Sequence, residues 1–226
     1  MLVKTVTQYW KKLENENLDM CASFTLFRLL NINGAKFKNK NILDIGFGEG
    51  QNLIECKKRG SIIHGIELRK EKIKKIIQLT KANKNNFFQC DLNISFPNIK
   101  TKFDLIYSMD TFNYLSESNQ NKYFDHCSKI LKKNAFFLIH YPQMQLLKNN
   151  NKDIFDYSIN DSIYKNDYFF EKKNPIIFLK NIQIIKLINK NKNRFKFVSS
   201  IFDTNTISKN NSSKLTINRY LLFKKK

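Results

Sequence analysis

The stretch "NILDIGFGEGQNLIE" (41–55) places glycines at 46, 48 and 50, directly after a short apolar run holding one acid, Asp44. The chain has only 6 glycines in 226 residues, so half of them fall within five positions. Such a cluster in a glycine-poor chain marks backbone shapes or close approaches that a Cβ forbids. A strand running into Gly46-Phe47-Gly48-Glu49-Gly50 and then a helix turns backbone amides, not side chains, toward a ligand. By itself the loop is also what any tight strand-to-helix turn requires.

Working outward, strands and helices alternate. "NILDIG" (41–46) reads as a short buried strand and "EGQNLIECKKRG" as a helix closed at Gly60. "SIIHGIEL" (61–68) is a second strand, and "RKEKIKKIIQLTKAN" an amphipathic helix with Ile73, Ile76, Ile77 and Thr80 on one side. "NFFQCDL" (86–92) and "FDLIYSMD" (103–110) follow as strands. A helix capped by Ser116 then leads into "AFFLIHYP", a fifth strand. This rhythm predicts a mostly parallel sheet covered on both faces. Near the end, a helical "IIFLKNIQIIKLINKNK" precedes "RFKFVSSIFDTNT" and "KLTINRYLLFKKK", which read as an antiparallel pair ending the sheet.

Glu67 ends the second strand, 21 residues after Gly46. A carboxylate there accepts hydrogen bonds from both hydroxyls of a ribose and repels a 2′-phosphate. Loop and acid together point to a nucleoside-containing ligand. A dinucleotide fingerprint, G-x-G-x-x-G, places its third glycine where this chain has Gln51. No G-x-x-x-x-G-K-[ST] run exists either, which excludes an NTP-binding P-loop of that type.

The arrangement D-I-G-F-G-E-G (44–50) instead resembles the D-x-G-x-G-x-G motif of class I S-adenosylmethionine-dependent methyltransferases. The resemblance covers residues 40–142 most clearly: Glu67 and Leu68 after the second strand, Asp91 and Leu92 after the third, and "FDLIYSMDTFNYLS" for the fourth strand and its loop. It implies S-adenosylmethionine as cofactor. The implied cofactor residues are Asp44, Gly46, Phe47, Gly48 and Gly50 of the loop, Glu67 and Leu68 at the ribose, Asp91 and Leu92 near the adenine, and Ser108 and Met109 beside the methionine part. It further implies an α/β, Rossmann-like class I methyltransferase fold. The expected sheet has seven strands, mostly parallel with the last antiparallel, helices on both faces and a small cap. Residues 1–226 form a single methyltransferase domain in this reading, with 1–34 as an N-terminal helical lid, where Tyr9 and Trp10 belong to the core or the lid. Residues 143–178 form a cap insertion rich in Asn and aromatic residues.

The chain departs from the family pattern at Asn113 and Tyr114, where many small-molecule members carry Glu-His. It also lacks N-P-P-Y or D-P-P-Y, with which amino-group-modifying DNA enzymes grip a flipped base, and the Pro-Cys pair of cytosine-C5 enzymes. His64 and His126 read as structural residues in a strand and a helix. His140 ends the fifth strand at the carboxyl edge, where open α/β sheets bind ligands. His140 and Tyr114 are therefore the candidate catalytic pair, as base and positioning donor. Asp110, Tyr141, Tyr157 and Tyr164 are candidates for contacting the acceptor.

Composition narrows the partners. The net charge of +21 invites a nucleic-acid reading. Yet the 40 basic residues are 35 Lys and 5 Arg, spread along the chain beside 30 Asn, as an A+T-rich coding sequence produces. Arg is the residue suited to planar phosphate and base recognition, so no specific nucleic-acid partner is expected. There is no apolar run long enough for a membrane span, no secretory pattern at "MLVKTVTQYWKKLENENLDM", and no His/Cys/Asp/Glu cluster with metal-ligand spacing. Four scattered cysteines suit a reducing, cytoplasmic setting. The expected function is methyl transfer from S-adenosylmethionine to a small molecule or sugar-like metabolite. RNA methylation, a cofactor-binding protein without catalysis and, less compatibly with the glycine spacing, a nicotinamide oxidoreductase stand as alternatives.

Overall fold

The computed structural model describes residues 21–146, 181–209 and 212–226. Residues 1–20 of the expected lid, 147–178 of the expected cap, and with them Tyr9, Trp10, Tyr157 and Tyr164, lie outside the described residues.

Seven strands form one sheet in the order β3-β2-β1-β4-β5-β7-β6. They are β1 (Asn41–Ile45), β2 (Ile62–Glu67), β3 (Phe87–Gln89), β4 (Phe103–Ser108), β5 (Leu131–Leu146), β6 (Phe195–Lys209) and β7 (Ser212–Lys225). The first five pair in parallel, and β7 lies antiparallel between β5 and β6. This bears out the seven-stranded, mostly parallel reading, including the antiparallel pair at its end.

Side-chain alternation sorts the apolar residues into two layers. On one face α1 (Phe24–Ile32), α2 (Gln51–Lys58) and α3 (Lys70–Thr80) bury Leu26, Leu30, Leu53 and Ile76 against Ile42, Ile63, Leu105 and Leu222. On the other, α4 (Glu117–Ile130) and α5 (Asn181–Lys190) bury Phe124, Cys127 and Leu187 against Leu43, Ile106, Phe137 and Phe223. The chain winds outward from β1 to β3 with helices on the first face. It then returns to the other side of β1 through β4, with helices on the second. That reversal between β1 and β4 opens a crevice at their carboxyl ends.

Local signals place several boundaries. Ser116 accepts from the Asn119 amide and caps α4, as its sequence predicts, and Gly60 takes φ +82° after α2. Ser23 caps α1 by accepting from the Leu26 amide, so within the expected run 1–34 the described helix begins at Phe24 and ends at Ile32. β5 is longer than "AFFLIHYP" suggests. Its pairing with β4 stops at Ser108–Ile139, but its ladder with β7 continues to Leu146–Lys214. His140 thus sits level with the end of β4, yet within its own strand.

Candidate functional site

The three glycines of the loop serve three purposes. Gly46 has φ +75°, and a Cβ there would lie 1.9 Å from the Thr111 hydroxyl oxygen, because the chain leaving β4 crosses directly over it. Gly50, at φ +77°, starts α2, and its Cβ would strike the Ile76 side chain of α3 at 2.5 Å. Gly48 has φ +54° and nothing within 4 Å of a built Cβ. Two glycines therefore serve packing within the protein, and the middle one faces an open cleft.

That cleft, about 750 Å³ and open to solvent, lies over the carboxyl ends of β3, β2, β1 and β4. Of the residues expected to hold a cofactor, Gly46, Gly48, Glu67, Leu68, Asp91, Leu92 and Met109 line it. Asp44, Phe47, Gly50 and Ser108 do not, and support it from behind. The Phe47 ring packs edge-on to Phe87 and fills the place where a Cβ on Gly65 would stand.

Glu67 is 7% exposed and built into the loop it faces. One carboxylate oxygen accepts from the Gly48 amide at 2.9 Å. The other accepts from the amides of Leu68 and Arg69 and lies 3.4 Å from the Arg69 guanidinium Nε. A carboxylate offers about four acceptor sites, so the oxygen facing Gly48 keeps capacity for a ligand hydroxyl. Asp91 accepts from the Asn93 amide at 2.9 Å, closing a tight turn after β3. The Asn93 side chain then donates to the Tyr114 carbonyl and accepts from the Ser116 amide, tying this turn to the loop after β4. Carboxylates of Glu67, Asp91 and Asp110 line the cleft, against the single guanidinium of Arg69, itself paired to Glu67. In a protein of charge +21, this is a locally acidic site.

Beneath the loop, Asp44 is 1% exposed. Burial pushes its carboxyl pKa well above the usual range, partly opposed by a hydrogen bond with Tyr107 and reinforced by Glu67. The Tyr107 hydroxyl also lies 3.7 Å from the Cys56 sulfur, and burial pushes that thiol up to about 12.

The proposed catalytic and acceptor residues divide. Tyr114 and Asp110 line the cleft. His140 stands behind Asp110, with Nδ1 3.0 Å from its carboxylate, and its ring rests on Tyr220 at 4.5 Å between centroids. The carboxylate sits off the line of the ring N–H, so neither imidazole nitrogen has an aligned hydrogen-bond partner. Tyr141 does not join this group. Neighbouring residues on a strand point to opposite faces, and Tyr141 packs with the α4 layer while His140 and Tyr220 stand on the α1 side. The expected convergence of His140 and Tyr141 is thus corrected by strand alternation.

Thr111, Arg69, Asn93 and Cys90 also line the cleft without having been singled out in the sequence. Only Asn93, two residues after an acid at a strand end, carried a local signal, that of an Asx turn.

The family described as "Methyltransferase domain" matches residues 9–172. The chain belongs to this methyltransferase-domain family. Its sheet order and crevice are those of the class I, Rossmann-like fold of S-adenosylmethionine-dependent methyltransferases. Among curated relatives, phosphoethanolamine N-methyltransferase from Plasmodium falciparum (isolate 3D7) is 34% identical over 105 residues, covering 45% of this chain and 39% of that protein. TehB from Haemophilus influenzae superposes with a TM-score of 0.60 at 14% identity, over 90% of this chain and 62% of that one. Magnesium protoporphyrin IX methyltransferase from Synechocystis PCC 6803, solved with bound SAH, gives 0.60 at 13% identity over 97% of this chain and 95% of that one. An S-adenosylmethionine-dependent methyltransferase from Clostridium acetobutylicum ATCC 824 gives 0.58 at 14% identity, covering 98% of each chain. At these identities the structural likenesses establish the fold. The chain spans well under two thirds of the length of that phosphoethanolamine N-methyltransferase, 39% of it. Among its described residues no helix is long and apolar enough to cross a membrane, and no His/Cys/Asp/Glu group is arranged to hold a metal.

Proposed function

We propose that the protein transfers the methyl group of S-adenosylmethionine to a small-molecule or sugar-like acceptor. The observation that carries this reading is the acidic cleft at the β1–β4 crevice, with Gly48 open beneath it and Glu67 at its side. A ribose diol and a sulfonium suit carboxylate surroundings, whereas the pyrophosphate of a dinucleotide is repelled by them. In this reading Glu67 and Leu68 hold the ribose, and Asp91 and Leu92 flank the adenine. The loop 46–50 with Ser108 and Met109 seats the methionine part. When bound, the cofactor supplies an activated methyl group. The protein's part is positioning and water exclusion, since an in-line displacement gains most from orientation. Tyr114 and His140 serve the acceptor as positioning donor and base, with Asp110 near it, and a base is needed only when the acceptor must lose a proton. Residues 1–34 and 143–178, including Tyr157 and Tyr164, are assigned to covering it. The likeness to a phosphoethanolamine N-methyltransferase supports an acceptor of metabolite size.

Calorimetric titration tests the cofactor. S-adenosylhomocysteine is expected to bind and NAD not to, and Glu67→Ala should weaken binding by roughly 1–3 kcal/mol, the scale of lost charged hydrogen bonds. Comparable NAD affinity, or an unchanged Glu67→Ala variant, would overturn the assignment. Methyl-labelled cofactor incubated with fractionated cell extract then reads the acceptor class. Label is expected in small metabolites, and label in RNA or protein would replace that part of the reading.

A further inference from the structure

The basic residues are scattered along the chain, but the fold collects them in space. Seven described segments reach the amino-terminal edge of the sheet, opposite the cleft. Segments 36–40, 57–59, 81–84, 100–102 and 129–133 lead into β1, β2, β3, β4 and β5, while 190–196 enters β6 and 224–226 ends the antiparallel β7. Together they hold 20 Lys and Arg and no Asp or Glu. The loops on the cleft side, 46–50, 67–70, 90–93 and 109–117, hold five acids and two basic residues. A lysine-rich composition sets how many lysines there are, but it does not sort them to one edge.

Structural roles account for part of this edge. Lys57 and Lys58 of α2, Lys129 of α4 and Lys190 of α5 stand in last turns, where a cation suits the negative helix end. Lys40 and Lys132 hold Asp104, and Arg59 and Arg194 are bound to Glu55 and Asp125. The rest is open: Lys36, Lys38, Lys100, Lys133, Lys192 and Lys196 are exposed and make no ion pair among the described residues. Seven strands at about 4.8 Å spacing make the edge roughly 30 Å long. Two exposed aliphatic side chains lie along it: Ile62, first in β2, at 48%, and Leu79, in the last turn of α3, at 59%.

We propose that this edge is a docking surface for a bilayer bearing anionic headgroups. Lysine is a compact charge that attracts phosphate without fixing its orientation, and both arginines at the edge are already bound to acids of the protein. Single-stranded nucleic acid is held by aromatic platforms and arginine as well as charge, whereas a lipid surface takes lysines interspersed with aliphatic side chains. Ile62 and Leu79 reach the headgroup boundary while the lysines meet the negative surface. The acids of the cleft side are repelled by it, so the field turns the cleft toward solution. Whatever the cleft binds then enters from water while the protein is docked, and the inference stands apart from the cofactor assignment.

The full chain is sedimented with vesicles of phosphatidylcholine alone or with about 30% phosphatidylserine, and the bound fraction is measured. Binding should favour the anionic vesicles by about tenfold or more and disappear near 1 M salt, where the screening length is about 3 Å. The triple variant Lys100→Glu, Lys133→Glu, Lys192→Glu should lose the preference, and arginine at the same three positions should keep it. An equal change of charge on exposed helix surfaces, Lys74→Glu, Lys122→Glu, Lys186→Glu, should cost much less. Leu79→Ser should weaken vesicle binding a few-fold. Equal binding to neutral vesicles, an edge variant that binds like the wild type, or equal losses in the two glutamate variants would overturn the proposal. So would displacement from the vesicles by single-stranded RNA at equal phosphate concentration, which would assign the edge to nucleic acid instead.

Discussion

From β3 to β4 the sheet is built of strands three to six residues long, whereas β5, β7 and β6 run for 14 to 16 residues. The short strands are parallel, so each needs a crossover connection, and their carboxyl ends open into loops that carry Gly46, Glu67, Asp91 and Asp110. The long ones form an antiparallel ribbon whose inner end packs in an aromatic cluster of Phe124, Phe137, Phe195 and Phe223. One half of the sheet places polar groups at loop ends around a cleft. The other half supplies apolar burial. Stability and ligand affinity should therefore respond to different residues.

The largest effect is expected from the aromatic half. Phe137 is fully buried and touches Tyr123, Phe124, Phe195 and Phe223. Phe137→Ala should cost about 3–5 kcal/mol in denaturant unfolding. S-adenosylhomocysteine affinity of the folded fraction should hardly change; a large affinity loss would show the two halves to be coupled.

Acid should act first on the parallel half. His64 in β2 is packed edge-on against Phe103 and near Asn41, and burial lowers its pKa to about 4. The folded state thus resists protonation while the unfolded chain takes up protons near pH 6.5. Stability from keeping His64 neutral is present above that pH and is lost as pH falls toward 4, up to about 3 kcal/mol. His64→Leu should flatten this part of the stability profile, and an unaltered profile would show that another group carries it.

The glycine loop distinguishes packing from ligand approach within one turn. Gly46→Ala collides with Thr111 and should destabilise by roughly 2–3 kcal/mol, with partial rescue by Thr111→Ala. Gly48→Ala meets no protein atom, so its cost should be nearer 1 kcal/mol, from the left-handed backbone alone. Its cofactor affinity should nevertheless fall at least tenfold, or about 1.4 kcal/mol. Thermal melts and calorimetry on the pair measure both quantities, and equal stability losses would remove the distinction.

The smallest effect lies at the opposite, amino-terminal edge. Burial works against the Asp104 carboxylate, but Lys132, the Asn41 amide and Lys40 outweigh it and hold its pKa below the usual range. This clip joins β1, β4 and β5 above the unfolded-state pKa and weakens as pH falls below it. Asp104→Asn should cost about 0.2–1 kcal/mol, diminishing in high salt, without touching ligand affinity.

Much of the parallel half was legible because its signals are local. Positive φ at Gly46, Gly48 and Gly50, the Ser116 cap and the acid ending β2 all lie within a few residues of the structure they specify. β3 was anticipated over 86–92 but pairs only through Phe87–Gln89, since Asp91 and Asn93 turn the chain away for their own hydrogen bonds. The helix capped by Ser116, anticipated over "SESNQNKYFDHCSKILKKN" (116–134), ends at Ile130, because Leu131 is taken into a pairing with Phe103. β5 continues past Pro142 because β7 remains beside it after β4 has ended. Strand length here depends on partners 68 to 74 residues away (Gln143↔Ile217 to Leu146↔Lys214), which no local pattern reveals.

The site divides along the same line. The spacing of glycines and acids determined by itself that a glycine turn and strand-end carboxylates would share one edge of the sheet, since backbone freedom and strand-end position are properties of a short segment. Only the tertiary structure decided which glycine faces the open cleft and which faces the protein. That depends on what fills the space opposite each Cα, and over Gly46 it is Thr111, 65 residues further along the chain. It likewise decided that His140 meets Asp110 while Tyr141 turns away, and that Asp44 is sealed in with no cationic partner among the described residues. Burial and charge pairing are sums over neighbours from every element that packs nearby, and those neighbours are chosen by the whole fold.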